Sequence, residues 1–295
     1  MYLHMHLIFR HVLLLITLIN FSYSLGTQFL SVPSSAIELA FGPSPLFGSL
    51  SINNPALLIA PNKGASMNIS YGTWFNNISN SSFSLASKLG RGNIGLNIRH
   101  MGISDLELRS NRPTDDPLAT FSSTSFAAAS SYSQSYGSLK VGATLQYLLI
   151  QLYTENVSGA TFDVGITRSF GKNIDLGISI LNSGYINKTD SYNPSLPLRF
   201  LSALSYELPT SKWDHKISLS AEKSSFVDGS IIRVASETKF EKFDLRFGTQ
   251  SSKEVTVVSG GFGVRLGLLN FHYGIQIGSQ HLGLPQMLDI SIKLP

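Results

Sequence analysis

From residue 65 onward the chain alternates. Ile94, Leu96 and Ile98 fall on one side of Asn93 to His100, against Asn93, Gly95, Asn97 and Arg99. Ile174, Leu176, Ile178 and Ile180 oppose Asp175, Gly177 and Ser179. Phe243, Leu245 and Phe247 oppose Asp244, Arg246 and Gly248. Phe271, Tyr273, Ile275 and Ile277 oppose His272, Gly274, Gln276 and Gly278. A strict period of two predicts strands with one apolar face.

Stretches such as LGRGN, SQSYG, FGKN, FEKF and GLLN separate the runs. About fourteen strands result, at 65–75, 80–89, 92–109, 119–133, 136–152, 157–170, 173–184, 197–208, 214–226, 229–240, 242–251, 255–268, 270–279 and 286–294. No helix intervenes between successive strands, so neighbours run antiparallel in up-and-down order. FGKN, FEKF and GLLN are tight. Arg109–Thr120, Asn187–Pro197 and Gly278–Gln286 are long. Short turns at one end and long loops at the other are the habit of an outer-membrane barrel, whose short turns face the periplasm.

A β-sandwich alternates too, and three features favour the barrel. Many runs reach the length that crosses a bilayer at a tilt, about nine to eleven residues. The polar face is small and weakly charged, with Lys140, Asp175, Arg246 and Arg265 as candidate lumen charges. Aromatics gather near strand ends: Tyr71, Trp74 and Phe75; Tyr132 and Tyr136; Tyr147 and Tyr153; Tyr206 and Trp213. Such a set suits an interfacial girdle. Closure of an even-numbered barrel also pairs every strand N–H and C=O, which lipid demands.

Composition agrees. Charged residues are 14% of 295, against roughly 25% in soluble domains, while 43% are hydrophobic. The net charge of +4 is a small excess and gives no footing for nucleic acid. There is no Cys, hence no disulfide and no thiolate chemistry. Residues 1–24 read as a cleaved signal peptide: Arg10 in a weakly basic start, an apolar run from Val12 to Phe21, then small residues at Ser22 and Ser24. That run is shorter than the ~20 residues of a spanning helix. The N-x-[ST] triplets at Asn68, Asn77, Asn80 and Asn156 read as strand and turn residues.

No catalytic constellation emerges. Beyond the leader the His residues are His100, His215, His272 and His281, with no metal-ligand spacing. Gly260–Gly267 looks like a phosphate loop but lies in an alternating strand with no helix after it. Asp115 and Asp116 read as a solvated turn between two prolines. Neither an enzyme nor a cofactor site is expected.

The opening of the mature chain is more specific. QFLSVPSSAIELAFG (Gln28–Gly42) followed by NNPALL (Asn53–Leu58) resembles the start of the PorV/PorQ family of outer-membrane proteins, closer to PorQ. That family is similar in fold to FadL-like fourteen-stranded barrels. Further echoes are Phe126–Leu148 and Leu196–Pro209. The Gly-Gly and acidic residues common between the two motifs are replaced by FGPSPLFGSLSI. The resemblance implies a non-enzymatic role in type IX secretion through partner-protein binding. Its FadL-like side implies the alternative, transport of hydrophobic small molecules. A soluble or structural β-protein is the third class.

The expected architecture is therefore all-β: a monomeric, transmembrane, up-and-down antiparallel barrel of about fourteen strands in outer-membrane lipid, residues 65–295. Residues 25–64 form a short helical plug. Pro55 suits a first helical position and Asn53 or Asn54 a cap, so Ala56–Ala60 is expected to make a short apolar helix. Such a piece cannot face lipid and should pack inside. Pro33, Ser35, Ala36, Asn54, Pro55, Ala56, Leu57 and Leu58 are the candidate plug and gating residues.

Overall fold

The computed structural model describes residues 26–47, 52–75, 78–109, 116–152, 154–189, 193–209, 213–279 and 283–295. The leader, Asn77, Asp115, Tyr153 and His281 lie outside the described residues. Fourteen strands follow one another: β1 (Ala65–Thr73), β2 (Ser79–Leu89), β3 (Gly92–Leu108), β4 (Ala119–Tyr136), β5 (Leu139–Leu152), β6 (Glu155–Phe170), β7 (Ile174–Ile186), β8 (Arg199–Leu208), β9 (Asp214–Ser224), β10 (Ile231–Phe240), β11 (Phe243–Ser251), β12 (Thr256–Leu266), β13 (Leu269–Gly278) and β14 (Gln286–Leu294). Each pairs with its neighbours in sequence. β1 closes on β14 from Ala65↔Leu294 to Thr73↔Gln286. Closure leaves no strand edge unpaired.

The tight turns explain the register. Gly137 (φ 62°) joins β4 to β5, and Gly267 (φ 65°) joins β12 to β13. Two-residue hairpins need positive φ to match strand twist, and glycine takes it without a Cβ clash. These turns share one end of the barrel with the start of β1 and the end of β14.

The molecule is inside-out. Leu145, Ile178, Leu219 and Phe247 are exposed on the outer face, whereas Asn80, Ser133, Thr161 and Asp289 are buried within. Tyr71, Tyr132, Tyr136, Tyr206 and Trp213 are exposed. Three of the expected girdle rings differ. Tyr147 sits mid-strand opposite Ala128 and Ala160. Trp74 and Phe75 are partly buried, because β1 ends at Thr73 and the chain then turns inward. Trp74 packs on the inner apolar cluster instead.

That cluster departs from a polar lumen. Met101, Ala127, Leu148, Ile150, Val157 and Ile186 are buried around Phe29 and Leu30. Its trace in the sequence is the unbroken Tyr147-Leu148-Leu149-Ile150, apolar on both faces.

Residues 26–47 and 52–62 run through the lumen. They form a 3₁₀ turn (Thr27–Ser31), the helix α1 (Ala36–Phe41) and a second 3₁₀ turn (Pro55–Leu57). The expected helix over Ala56–Ala60 is only this one turn. Beyond it the Leu58 carbonyl is taken by Asn93 Nδ2 (3.0 Å) and Ser133 Oγ (2.8 Å), so the chain leaves extended.

Candidate functional site

α1 has six residues, all buried. Alone it is too short to persist. Its first turn is secured by its neighbours. Ser35 caps it, accepting from Glu38 N at 3.1 Å. Glu38 Oε2 in turn accepts from Ser34 N (2.7 Å) and Ser34 Oγ (2.9 Å). This is a capping-box pairing shifted one residue back. Asp289, on the lumen face of β14 and fully buried, accepts from Ala36 N (2.8 Å) and Ile37 N (3.4 Å). At the other end Ser259 Oγ donates to the Ala40 carbonyl (2.8 Å).

The candidate plug residues are held in the same way. The Pro33 carbonyl accepts from Asn80 Nδ2 (2.7 Å), and the Ser34 carbonyl from Ser82 Oγ (2.7 Å). Asn54 caps the second 3₁₀ turn, accepting from Ala56 N (2.9 Å). Its Nδ2 donates to the carbonyls of Pro45 (2.9 Å) and Ile166 (3.3 Å). Arg99 Nη2 donates to the carbonyls of Phe29 (3.0 Å) and Val32 (2.7 Å). Wall side chains thus serve plug backbone groups that no water-filled lumen would need to serve.

Close approach depends on missing side chains. A Cβ on Gly142 would lie 2.5 Å from Ala56 N and from the Pro55 carbonyl oxygen. One on Gly248 would lie 2.7 Å from the Ala40 carbonyl oxygen, and one on Gly261 2.7 Å from Ala40 Cβ. Gly165 and Gly274 face Asn54 and Ala36 at least as tightly. The lumen glycines form a bed for the plug.

The four candidate lumen charges are all on the inner face. Asp175 Oδ2 meets Lys216 Nζ at 2.8 Å, with Lys140 in electrostatic reach. Arg246 contacts Glu237 (3.0 Å), Asp244 (3.1 Å) and His272 Nδ1 (3.2 Å), and Arg265 reaches Asp244 at 3.1 Å. Arg246 also lies over the Phe41 ring, 5.8 Å from its centroid.

A second charged cluster escaped the sequence reading. Glu222 is clasped by Arg199 (Nε–Oε1 2.6 Å) and Arg233 (Nη2–Oε2 2.8 Å), all three buried. Arg199 Nη1 reaches Asn53 Oδ1 at 3.4 Å, and Asn53 Nδ2 donates to Glu38. Parity could have found it. Glu222 shares the inner face with Ser218 and Ser220, and Arg233 alternates with outward Ile232 and Val234. Among the described residues no group of three His, Asp or Glu is placed to hold a metal ion.

Two cavities flank the plug. At the turn end, one of about 640 Å³ is lined by Phe41, Phe47, Leu58, Lys216, Arg246 and Arg265. At the loop end, one of about 490 Å³ is lined by Trp74, Phe75, Phe226, Val255, Arg199 and Arg233.

This plugged barrel is similar to several solved structures. The toluene transporter TbuX of Ralstonia pickettii is 11% identical, with a TM-score of 0.60 over 88% of this chain and 98% of that one. A deltaS2S3 mutant of the monoaromatic hydrocarbon channel TodX gives 0.64 at 11% identity, over 88% and 99%. A FadL homologue of Pseudomonas aeruginosa gives 0.53 at 10% identity, over 88% and 98%. The chain has the fold of the FadL-type barrels. No family model and no curated protein matches it. The PorV/PorQ resemblance therefore rests on sequence motifs, the specific ones within residues 28–58.

Proposed function

We propose that this protein is an outer-membrane channel of the FadL type that carries hydrophobic small molecules. The observation that carries this reading is the lumen. It is occupied by a hydrogen-bonded N-terminal segment, with a partly apolar cavity toward each end. An open porin would need neither. An exposed apolar outer face with a buried polar inner face supports the membrane location. The fold shared with structures described as toluene transporters supports the cargo class. Transport therefore moves ahead of the secretion-associated role that the N-terminal motifs suggest.

The test is uptake. The chain is expressed in the outer membrane of a Gram-negative host, and entry of a radiolabelled hydrophobic compound is followed. Entry should exceed the vector control, and equal rates would remove the proposal. The secretion role makes the opposite forecast: unchanged uptake, with loss of surface-attached proteins when the gene is deleted from its own host.

A further inference from the structure

We propose that Arg168 and Lys172, at the turn end of the outer wall, hold the headgroup of an anionic phospholipid. This rests on the membrane location argued above and does not depend on transport.

The outward positions of the barrel are poor in cations. Among the described strand residues, Arg168 and Lys223 are the only Arg or Lys that alternate to the outer face. Lys223 Nζ is engaged, donating to the Gly229 carbonyl at 2.8 Å. Arg168 has no ion pair among the described residues. Its guanidinium lies over the outward Phe170 ring, 5.0 Å from the centroid. A lipid-facing guanidinium is destabilising at the bilayer midplane and tolerated only near the headgroups.

Depth puts Arg168 among the headgroups. Phe162 pairs with Leu145, midway along β5. Arg168 follows Phe162 by six residues on the same outer face. At a rise of about 3.3 Å per residue and a tilt of about 40°, that is about 15 Å along the barrel axis. Half of an apolar band about 25 Å tall is about 12 Å. The neighbouring rings agree. Tyr136 pairs with Leu139, which pairs with Arg168, and Phe170 shares a level with Ile174 and Tyr206. Tyr136 and Tyr206 are exposed, as interfacial rings are.

Charge decides the headgroup. Lys172 is exposed in the turn after β6 and adds a second cation. The acids of β7 and β8 at this end, Asp175 and Glu207, fall on inner positions, and Asp175 is taken by Lys216 at 2.8 Å. The described turns of this end carry Arg91, Lys172 and Lys242 against Glu241. Two cations without an outward acid favour a phosphate that brings no ammonium of its own. Short turns of an outer-membrane barrel face the periplasm, where the leaflet is phospholipid.

Native mass spectrometry reads the occupant. The detergent-folded protein is titrated with phosphatidylglycerol or with phosphatidylcholine of the same acyl chains, and retained lipid is measured. Phosphatidylglycerol should bind about 30-fold more tightly, about fivefold for each of the two cations. Arg168→Gln and Lys172→Gln should each lose about fivefold of that preference. Arg91→Gln, two hairpins away on the same rim, should keep it. Heat-modifiable migration shows that each variant is folded. Equal binding of the two lipids by the parent would overturn the proposal and leave the rim to an acidic protein or to no partner. An equal loss on Arg91→Gln would also overturn it, since the preference would then belong to the whole rim. Neither result touches the transport reading, which uptake tests.

Discussion

Gly142→Ala places one methyl group where the plug has no room for it. Its Cβ would stand 2.5 Å from Ala56 N and 2.5 Å from the Pro55 carbonyl oxygen, about 1 Å inside ordinary contact. Both are backbone atoms, so no rotamer change relieves the clash. The turn Pro55–Leu57 must move, and Asn54 holds it through two side-chain bonds to the Pro45 and Ile166 carbonyls. Overpacking of this kind costs about 1–3 kcal/mol. The barrel itself keeps every strand pair, so the strain falls on plug docking. The plug-released fraction should rise by about 5- to 150-fold. Two assays read this: planar-bilayer conductance, and protease nicking of residues 26–62 in the folded protein. Gly278→Ala is the control, since its Cβ would meet nothing within 4 Å. Heat-modifiable gel migration confirms that both variants remain barrels. If Gly142→Ala is as silent and as protease-resistant as Gly278→Ala, the glycine bed is not what seats the plug.

Three further outcomes follow from the same geometry. Deleting residues 26–62 should raise conductance above that of any point variant if the barrel still folds; an unchanged conductance would sink the plug. Glu222→Gln should destabilise the folded chain by about 3–5 kcal/mol, because Arg199 and Arg233 would be left buried without their counter-charge; a urea midpoint equal to that of the parent would refute this. Leu145→Arg, on the exposed outer face midway along β5, should cost about 2–4 kcal/mol when the barrel is folded into phospholipid vesicles; a neutral effect would mean that this face meets water.

The barrel was legible because a strand between an apolar outer face and a polar interior must alternate, and the alternation marks the strands except where β5 reads Tyr147–Ile150. β14 begins and ends at the residues expected from pattern alone, and most other strands agree within two or three. The inner apolar cluster was harder to see. Leu148 and Ile150 look like ordinary strand residues until Phe29 and Leu30 are brought against them from more than a hundred positions earlier. Trp74 and Phe75 were misread for a related reason. Position near a strand end says that a ring is close to the interface, not to which side the following turn carries it.

The candidate site divides along the same line. Asn54 could be named as a cap from sequence, with Asn53 as its alternative, because capping is local, between residues two apart. Asp289 could not. Its partners lie 253 and 252 residues away, and nothing near it in the chain marks it as the group that receives the first turn of α1. Likewise Glu222 shows only an acid on an inward position, and its two arginines arrive from β8 and β10.

The sequence by itself determined an inside-out barrel of fourteen antiparallel strands and a non-strand segment ahead of it, since periodicity and turn chemistry act over a few residues. Only the tertiary structure decided how the lumen is filled. It set which glycines yield to the plug, which carboxylate receives the helix, and which two guanidiniums clasp Glu222. Those are contacts between residues far apart in the chain, and closing the barrel is what brings them within hydrogen-bonding distance.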